Sequence, residues 1–327
     1  MITEIANRLY AIKVRLAGNP LRDLNSYVFA GKERSLLIDT GFNQSECLED
    51  LRAGISGLGL DMNKTDILAT HCHADHSGLI GAVVTEHSRV FMGANDKAIL
   101  ENRWSDKESY KKDFVRRFLS EGYPADSIEY AYQNNPAAKL AAMKPYAMTG
   151  VKDGDVIQAG DMALTAIDTP GHTPGHMCFY EPNEKIMVLG DHVLFDITPN
   201  ITAWNSLPNA LWHYLESLKK IKRYDVALPL PAHRECSRPM NERIDELFAH
   251  HDRRLAETLR VVAENPGVSG YAVASRLTWS IRAKNWDDFP VAQKWFAVGE
   301  ALSHLDYLVE AKKIRRIIHD GIAVYEA

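Results

Sequence analysis

The sequence is short of the features that mark secreted, membrane-spanning or strongly basic proteins. It has 4 cysteines in 327 residues, and Cys47, Cys72, Cys178 and Cys236 form no Cys-x-x-Cys pair. A disulfide scaffold is therefore not expected, and a reducing cytoplasm is the expected compartment. No apolar run reaches the ~18 residues that a membrane-crossing helix needs, so no membrane partner is expected. Residues 1–16 alternate like a strand and lack a charged region followed by an apolar stretch, so they do not read as a signal peptide. A cationic surplus is missing too: 38 Lys and Arg face 43 Asp and Glu, a formal charge of −5. That balance argues against a broad basic face for nucleic acid.

Hydrophobic residues, at 46%, are plentiful enough for a large core, and at ~150 residues per domain the length suggests roughly two domains. Up to residue 238 the chain reads as alternating strands and helices, the pattern of a layered α/β domain. Leu9–Leu16 alternates, and short apolar runs at 26–30 and 35–39 flank a Gly-Lys-Glu-Arg turn. Residues 44–57 look helical, 67–70 reads as a buried strand ending on His71, and a helix from Asp75 would turn Leu79, Ile80, Val83 and Val84 inward. Strands are expected again at 155–157, 163–168, 176–180, 185–190 and 224–229, with a helix at about 209–222. A charged helical insert at about 95–147 interrupts the strands. It suits either a lid or a helix pair that covers the sheet edge. From residue 239 the chain turns helical, at 240–264, 269–277 and 291–312, and ends in a hairpin turning on Asp320-Gly321. Three helices and a hairpin describe a small winged-helix-like domain, 239–327.

Histidine is the informative residue. There are 13, and His71-Cys72-His73-Ala74-Asp75-His76 packs three imidazoles and a carboxylate into six positions. An extended backbone puts His71 and His73 on one side. Imidazole nitrogen and carboxylate oxygen suit zinc, and also iron or manganese. A solvated polar turn is the plainer alternative. Against it, the helix that follows is apolar, and His172, Asp191 and His233 each follow a β run, where site residues of layered α/β folds collect.

In this ordered set the chain resembles the metallo-β-lactamase superfamily. The resemblance rests on the His-x-His-x-Asp-His stretch, Thr169-Pro170-Gly171-His172, Gly190-Asp191, Pro231-Ala232-His233 and the earlier Ile38-Asp39-Thr40-Gly41, over roughly residues 5–235. It implies an α/β fold, an αββα sandwich over 1–238, with a metal site at one edge of the paired sheets. It also implies two divalent ions, zinc favoured: His71, His73 and His172 would hold one, Asp75, His76 and His233 the other, and Asp191 would bridge them. The ions would share a hydroxide, whose proton Asp75 would hold as the catalytic residue. A carboxylate at 191, where the commonest lactamases use cysteine, argues against a dedicated antibiotic-degrading enzyme.

Around that set, Asp39 is expected to orient a ligating histidine and His176 to be a hydrogen-bond partner beside His172. Alternation turns His192 to the other side and the Cys72 thiol inward. Residues 196–205 could line a cleft or simply connect. The C-terminal domain resembles the winged-helix tail of the lactamase-beta-2-like branch, which includes ribonuclease-like enzymes and thioesterases acting on carrier proteins or coenzyme A. The expected activity is hydrolysis of a small-molecule or acyl ester, thioester or lactone. The alternatives are a (ribo)nuclease, an iron-dependent oxidoreductase or a non-enzymatic regulator. The basic run Lys312, Lys313, Arg315, Arg316 leaves nucleic acid open, though packing, cleft shaping or a homodimer suits the C-terminal domain better.

Overall fold

Period-two alternation decides the architecture. The computed structural model describes residues 1–142, 145–280 and 283–327. Seven strands form the first sheet in sequence order: β1 (Ile2–Ala6), β2 (Leu9–Arg15), β3 (Asp23–Phe29), β4 (Ser35–Ile38), β5 (Thr65–Ala69), β6 (Val90–Gly93) and β7 (Thr149–Val151). Pairing is antiparallel from β1 to β4 and parallel from β4 to β7. The second sheet has the order β12-β11-β10-β9-β8, built from β8 (Val156–Ala159), β9 (Met162–Asp168), β10 (Met177–Glu181), β11 (Ile186–Gly190) and β12 (Leu228–Pro231).

Neighbouring residues on each strand enter different cores, as the pleat requires. Leu36, Ile38 and Leu68 face Ala166, Phe179 and Val188 between the sheets. Leu37, Ile67 and Ala69 point the other way, under α1 (Ser45–Gly57), α2 (Ala74–Ser77) and α3 (Ile80–Val83). On the far side Ile167, Cys178, Met187 and Leu189 pack under α8 (Ala210–Ile221) and the first half of α9 (Met240–Glu264). Two sheets with helices outside both make the expected αββα sandwich. Each fully buried Leu or Ile contributes about 1.5–3 kcal/mol.

Three expectations need correction. The helix after His76 breaks into two short turns, α2 and α3, and Val84 is only half-buried. The last sandwich strand is Leu228–Pro231 rather than 224–229. It lies at a sheet edge, where prolines that cannot donate to the ladder are tolerated. The insert is four helices, α4 (Ala94–Ser105), α5 (Lys107–Ser120), α6 (Ala125–Gln133) and α7 (Pro136–Lys139), and its residues 143 and 144 lie outside the described ones. Helix α4 packs on β6 and β7. Phe118, Tyr123, Ile128 and Tyr132 instead share a core with Trp295, Val298, Leu302 and Tyr325 of the C-terminal region. There α9 is followed by β13 (Val268–Ser269), α10 (Gly270–Ala274), α11 (Val291–Glu310), β14 (Arg315–His319) and β15 (Ile322–Glu326). The hairpin turns at Asp320 and Gly321, both at positive φ.

No helix among the described residues is long and apolar enough to cross a membrane. The four cysteines are free.

Candidate metal centre

Four strand ends deliver the candidate residues to one place. β5 runs into Thr70, His71 and His73, and α2 supplies Asp75 and His76. His172 lies in the loop after β9, Asp191 follows β11, and His233 follows β12. Three groups of potential ligand atoms result, each with its atoms within 4.8 Å of one another: His71, His73 and His172; Asp75, His76 and His233; and His71, His76 and Asp191. The two oxygens of Asp191 face opposite halves. Oδ2 lies 3.6 Å from His172 Nε2, whereas Oδ1 lies 3.4 Å from His233 Nε2 and 3.6 Å from His76 Nε2. Asp75 Oδ2 lies 3.3 Å from His233 Nε2. All seven residues expected from the sequence therefore converge.

The hydrogen bonds around them decide where the ring protons sit. His76 Nδ1–H donates to Asp39 Oδ2 at 2.8 Å, His172 Nδ1–H to the Asn200 carbonyl at 2.8 Å, and His233 Nδ1–H to the Asp23 carbonyl at 2.8 Å. The Thr70 hydroxyl donates to Asp39 Oδ2 at 2.9 Å, so it accepts from His71 Nδ1, 3.1 Å away. Each arrangement leaves Nε2 as the atom aimed into the centre. Nε2 of His76, His172 and His233 and Oδ1 of Asp191 are buried without a hydrogen-bond partner. Orphaned polar atoms of this kind are expensive unless something fills the space between them. Imidazoles tied through the other nitrogen are the usual form of metal-ligating histidine. The donor set fits divalent cations.

Charge divides the site. Burial, then the neighbouring imidazoles, holds His71 well below the ordinary histidine value, and burial pushes His73 to about 3 and lowers His172. Burial also opposes charge on His76 and His233, but Asp39, Asp75 and Asp191 around His76, and Asp191 and Asp75 around His233, outweigh it and raise both. The partners respond in kind: burial alone would raise Asp75 and Asp191, and His76 and His233 hold them below the usual carboxylate range.

The supporting residues divide into expected and missed. Asp39 orients His76 directly and His71 through Thr70, as expected. His176 is a partner too, but its Nε2 accepts the Asp191 N–H at 3.2 Å, so it braces Asp191. Gly190, at φ +51°, lets the chain turn there; a Cβ would lie 2.6 Å from His176 Nε2. His192 is buried against His176 and Tyr214, and the Cys72 thiol is buried. Asp96, in the first turn of α4, was missed. It is fully buried and accepts from Cys72 N–H at 2.8 Å, Thr173 Oγ1 at 2.6 Å and Gly175 N–H at 2.6 Å. It ties the His71–His73 loop to the His172 loop. Its one sequence signal is a carboxylate just past a strand end, the position that Asp39 and Asp191 share. Trp204 lies in the 196–205 segment, whose sequence suits either a cleft lining or a connection. It stacks on half-buried His73 at 6.1 Å between centroids, and its Nε1–H donates to the His172 carbonyl at 3.1 Å.

A family model described as the metallo-beta-lactamase superfamily matches residues 20–233. The chain belongs to the metallo-beta-lactamase superfamily. A metallo-beta-lactamase family protein of Thermus thermophilus superposes with a TM-score of 0.83 at 25% identity, over 99% of each chain. The similarity of this superfamily member to that structure thus extends through the C-terminal region. The lactamase-like protein adaB of Aspergillus niger is 24% identical over 262 residues, 79% of this chain, and the chain spans 64% of that curated relative's length. A protein of Aspergillus fumigatus named atrochrysone carboxyl ACP thioesterase is 25% identical over 261 residues, 78% of this chain and 49% of its own. The metallo-hydrolase class expected from the sequence is the class to which these names point.

Proposed function

We propose that this superfamily hydrolase cleaves an acyl thioester or ester at a centre holding two divalent cations, zinc favoured. The observation that carries the reading is the pair of three-residue donor groups on either side of Asp191, with unpartnered Nε2 and Oδ1 atoms aimed between them. His71, His73 and His172 would hold one ion and Asp75, His76 and His233 the other, with one Asp191 oxygen toward each. Divalent cations there would polarise the substrate carbonyl and lower the pKa of a water. The chain's own residues do the rest. The Asp75 carboxylate, beside His233 and reaching the edge of the site, orients the attacking water and takes its proton at an oxygen. Trp204, stacked on His73, gives a flat apolar wall beside the carbonyl.

Thioester chemistry is favoured by the relative named as a carrier-protein thioesterase. A nuclease reading has less support. Of the basic run near the hairpin, Arg316 is spent on buried Glu121 at 2.9 Å and Arg315 on Glu326 at 3.3 Å. We read 239–327 as a domain that packs against the insert and shapes the site, in a protein of the cytoplasm.

The test is a panel of acyl-coenzyme A thioesters, activated esters, lactones and a phosphodiester, on protein of measured metal content. Thioester or ester turnover should disappear on chelation and return with Zn2+. Asp75→Ala should fall by about 10²–10⁴-fold, the range for a lost general base. Metal-loaded protein that turns over none of the acyl substrates would overturn the proposal, and salt-sensitive RNA cleavage instead would install the nuclease.

A further inference from the structure

His172 differs from the other candidate ligands in what holds its second nitrogen. His76 is tied to Asp39 at the end of β4, His233 to Asp23 of β3, and His71 to Thr70 after β5, all parts of the first sheet. His172 is tied to an irregular strap, residues 200–204, that belongs to neither sheet. The strap grips it twice, through the Asn200 carbonyl on Nδ1–H and through Trp204 Nε1–H on its carbonyl.

The strap in turn is stitched along α11, about a hundred residues further on. Asn200 Nδ2 donates to Glu300 Oε2 at 3.1 Å and to the Phe296 carbonyl at 3.3 Å. The Ala203 N–H donates to the Gly299 carbonyl at 3.1 Å, and the Ser303 hydroxyl to the Ile201 carbonyl at 2.5 Å. Contact is close: a Cβ at 299 would lie 2.2 Å from Thr202 Oγ1 and 3.2 Å from its Cβ, so Thr202 would have to move. Half-buried Arg254 flanks Glu300, with Nε 3.7 Å from Oε1.

We infer that α11 of the C-terminal region is a positioning element of the metal centre, with Glu300, Gly299 and Ser303 setting His172 through the 200–204 strap. The inference rests on reading His172 as a metal ligand. It gives the C-terminal helices a task at the hydrolytic site that involves no nucleic acid: they complete the His71–His73–His172 group. Glu300 is a positioning residue and touches neither metal nor substrate. A displaced Asn200 carbonyl would release the His172 ring from the one orientation in which Nε2 faces Asp191.

Full-length metal-free protein titrated with Co2+, with ligand-field absorption and chelator competition as readouts, tests this. Glu300→Leu removes the nearer of the two acceptors for Asn200, and Gly299→Val pushes Thr202 away. Each should weaken Co2+ binding about 10–100-fold, the usual cost of losing a group that orients a ligand. Glu300→Gln keeps an acceptor oxygen and should stay near wild type. Leu308→Ala, buried on α11 beyond every residue of that helix bonded to the strap, should lower thermal stability and leave Co2+ affinity unchanged. Wild-type affinity in both Glu300→Leu and Gly299→Val would overturn the inference, and so would an equal loss in Leu308→Ala. A wild-type protein that takes up no Co2+ would instead overturn the metal centre itself.

Discussion

Asp39→Asn isolates the control of ring protons at the metal centre. Asp39 lies at φ +59°, a left-handed conformation that asparagine tolerates, so the backbone need not move. In the wild type its Oδ1 accepts the Thr70 N–H at 2.8 Å, while Oδ2 accepts His76 Nδ1–H and the Thr70 hydroxyl. The amide keeps the first bond and places an NH2 against the other two donors. Without the Asp39 charge, the largest of those that raise His76, the metal-free ring gives up Nδ1–H and keeps its proton on Nε2, which faces Asp75 and Asp191 at 3.8 and 3.6 Å. Binding metal through Nε2 forces that proton back to Nδ1 and leaves buried donors facing each other, at about 1–3 kcal/mol. At 1.4 kcal/mol per decade that is about a 5- to 150-fold loss of affinity. Zn2+ competition against a chromophoric chelator measures it, alongside thermal melts of the metal-free proteins that check that the variant folds. Undiminished Zn2+ affinity in folded Asp39→Asn would refute the assignment of ring protons around Asp39.

Two further outcomes follow from buried carboxylates elsewhere. Asp96→Asn offers an amide NH2 to a site that only donors surround, so one of Cys72 N–H, Thr173 Oγ1–H and Gly175 N–H loses its acceptor. Metal-free protein should lose about 1–3 kcal/mol in urea unfolding; an unchanged urea midpoint would rule out the tether. At Asp66, burial raises the carboxyl, but hydrogen bonds from Arg89 and Arg34 outweigh it and hold it below the usual range. A depressed carboxyl contributes stability above its unfolded value, about 3.9, and loses it as pH falls through the folded value. Wild type should therefore lose more stability than Asp66→Asn between pH 5 and 2, and parallel urea midpoints across that range would contradict the pairing.

The amino-acid order by itself determined a layered α/β domain and seven candidate donors near strand ends, and its resemblance to a known family implied the four-layer sandwich. The domain class and the donors are written in local terms. Alternation with period two assigns Leu36 and Ile38 to one face and Leu37 to the other whatever lies opposite, and a strand ending on His71 or Asp191 delivers its ligand to the strand-end edge. The tertiary structure alone decided what steadies those donors and where the insert goes. Asp96 meets Cys72 and Gly175 only because α4 starts against two loops, and Asn200 reaches Glu300 across a hundred residues of chain. The charged texture of 95–147 does not say whether Phe118 and Tyr132 turn toward a sheet edge or toward Trp295. A residue's own spacing records which face of its element it occupies. The partner that covers that face is set by how distant elements pack, and no local pattern carries that.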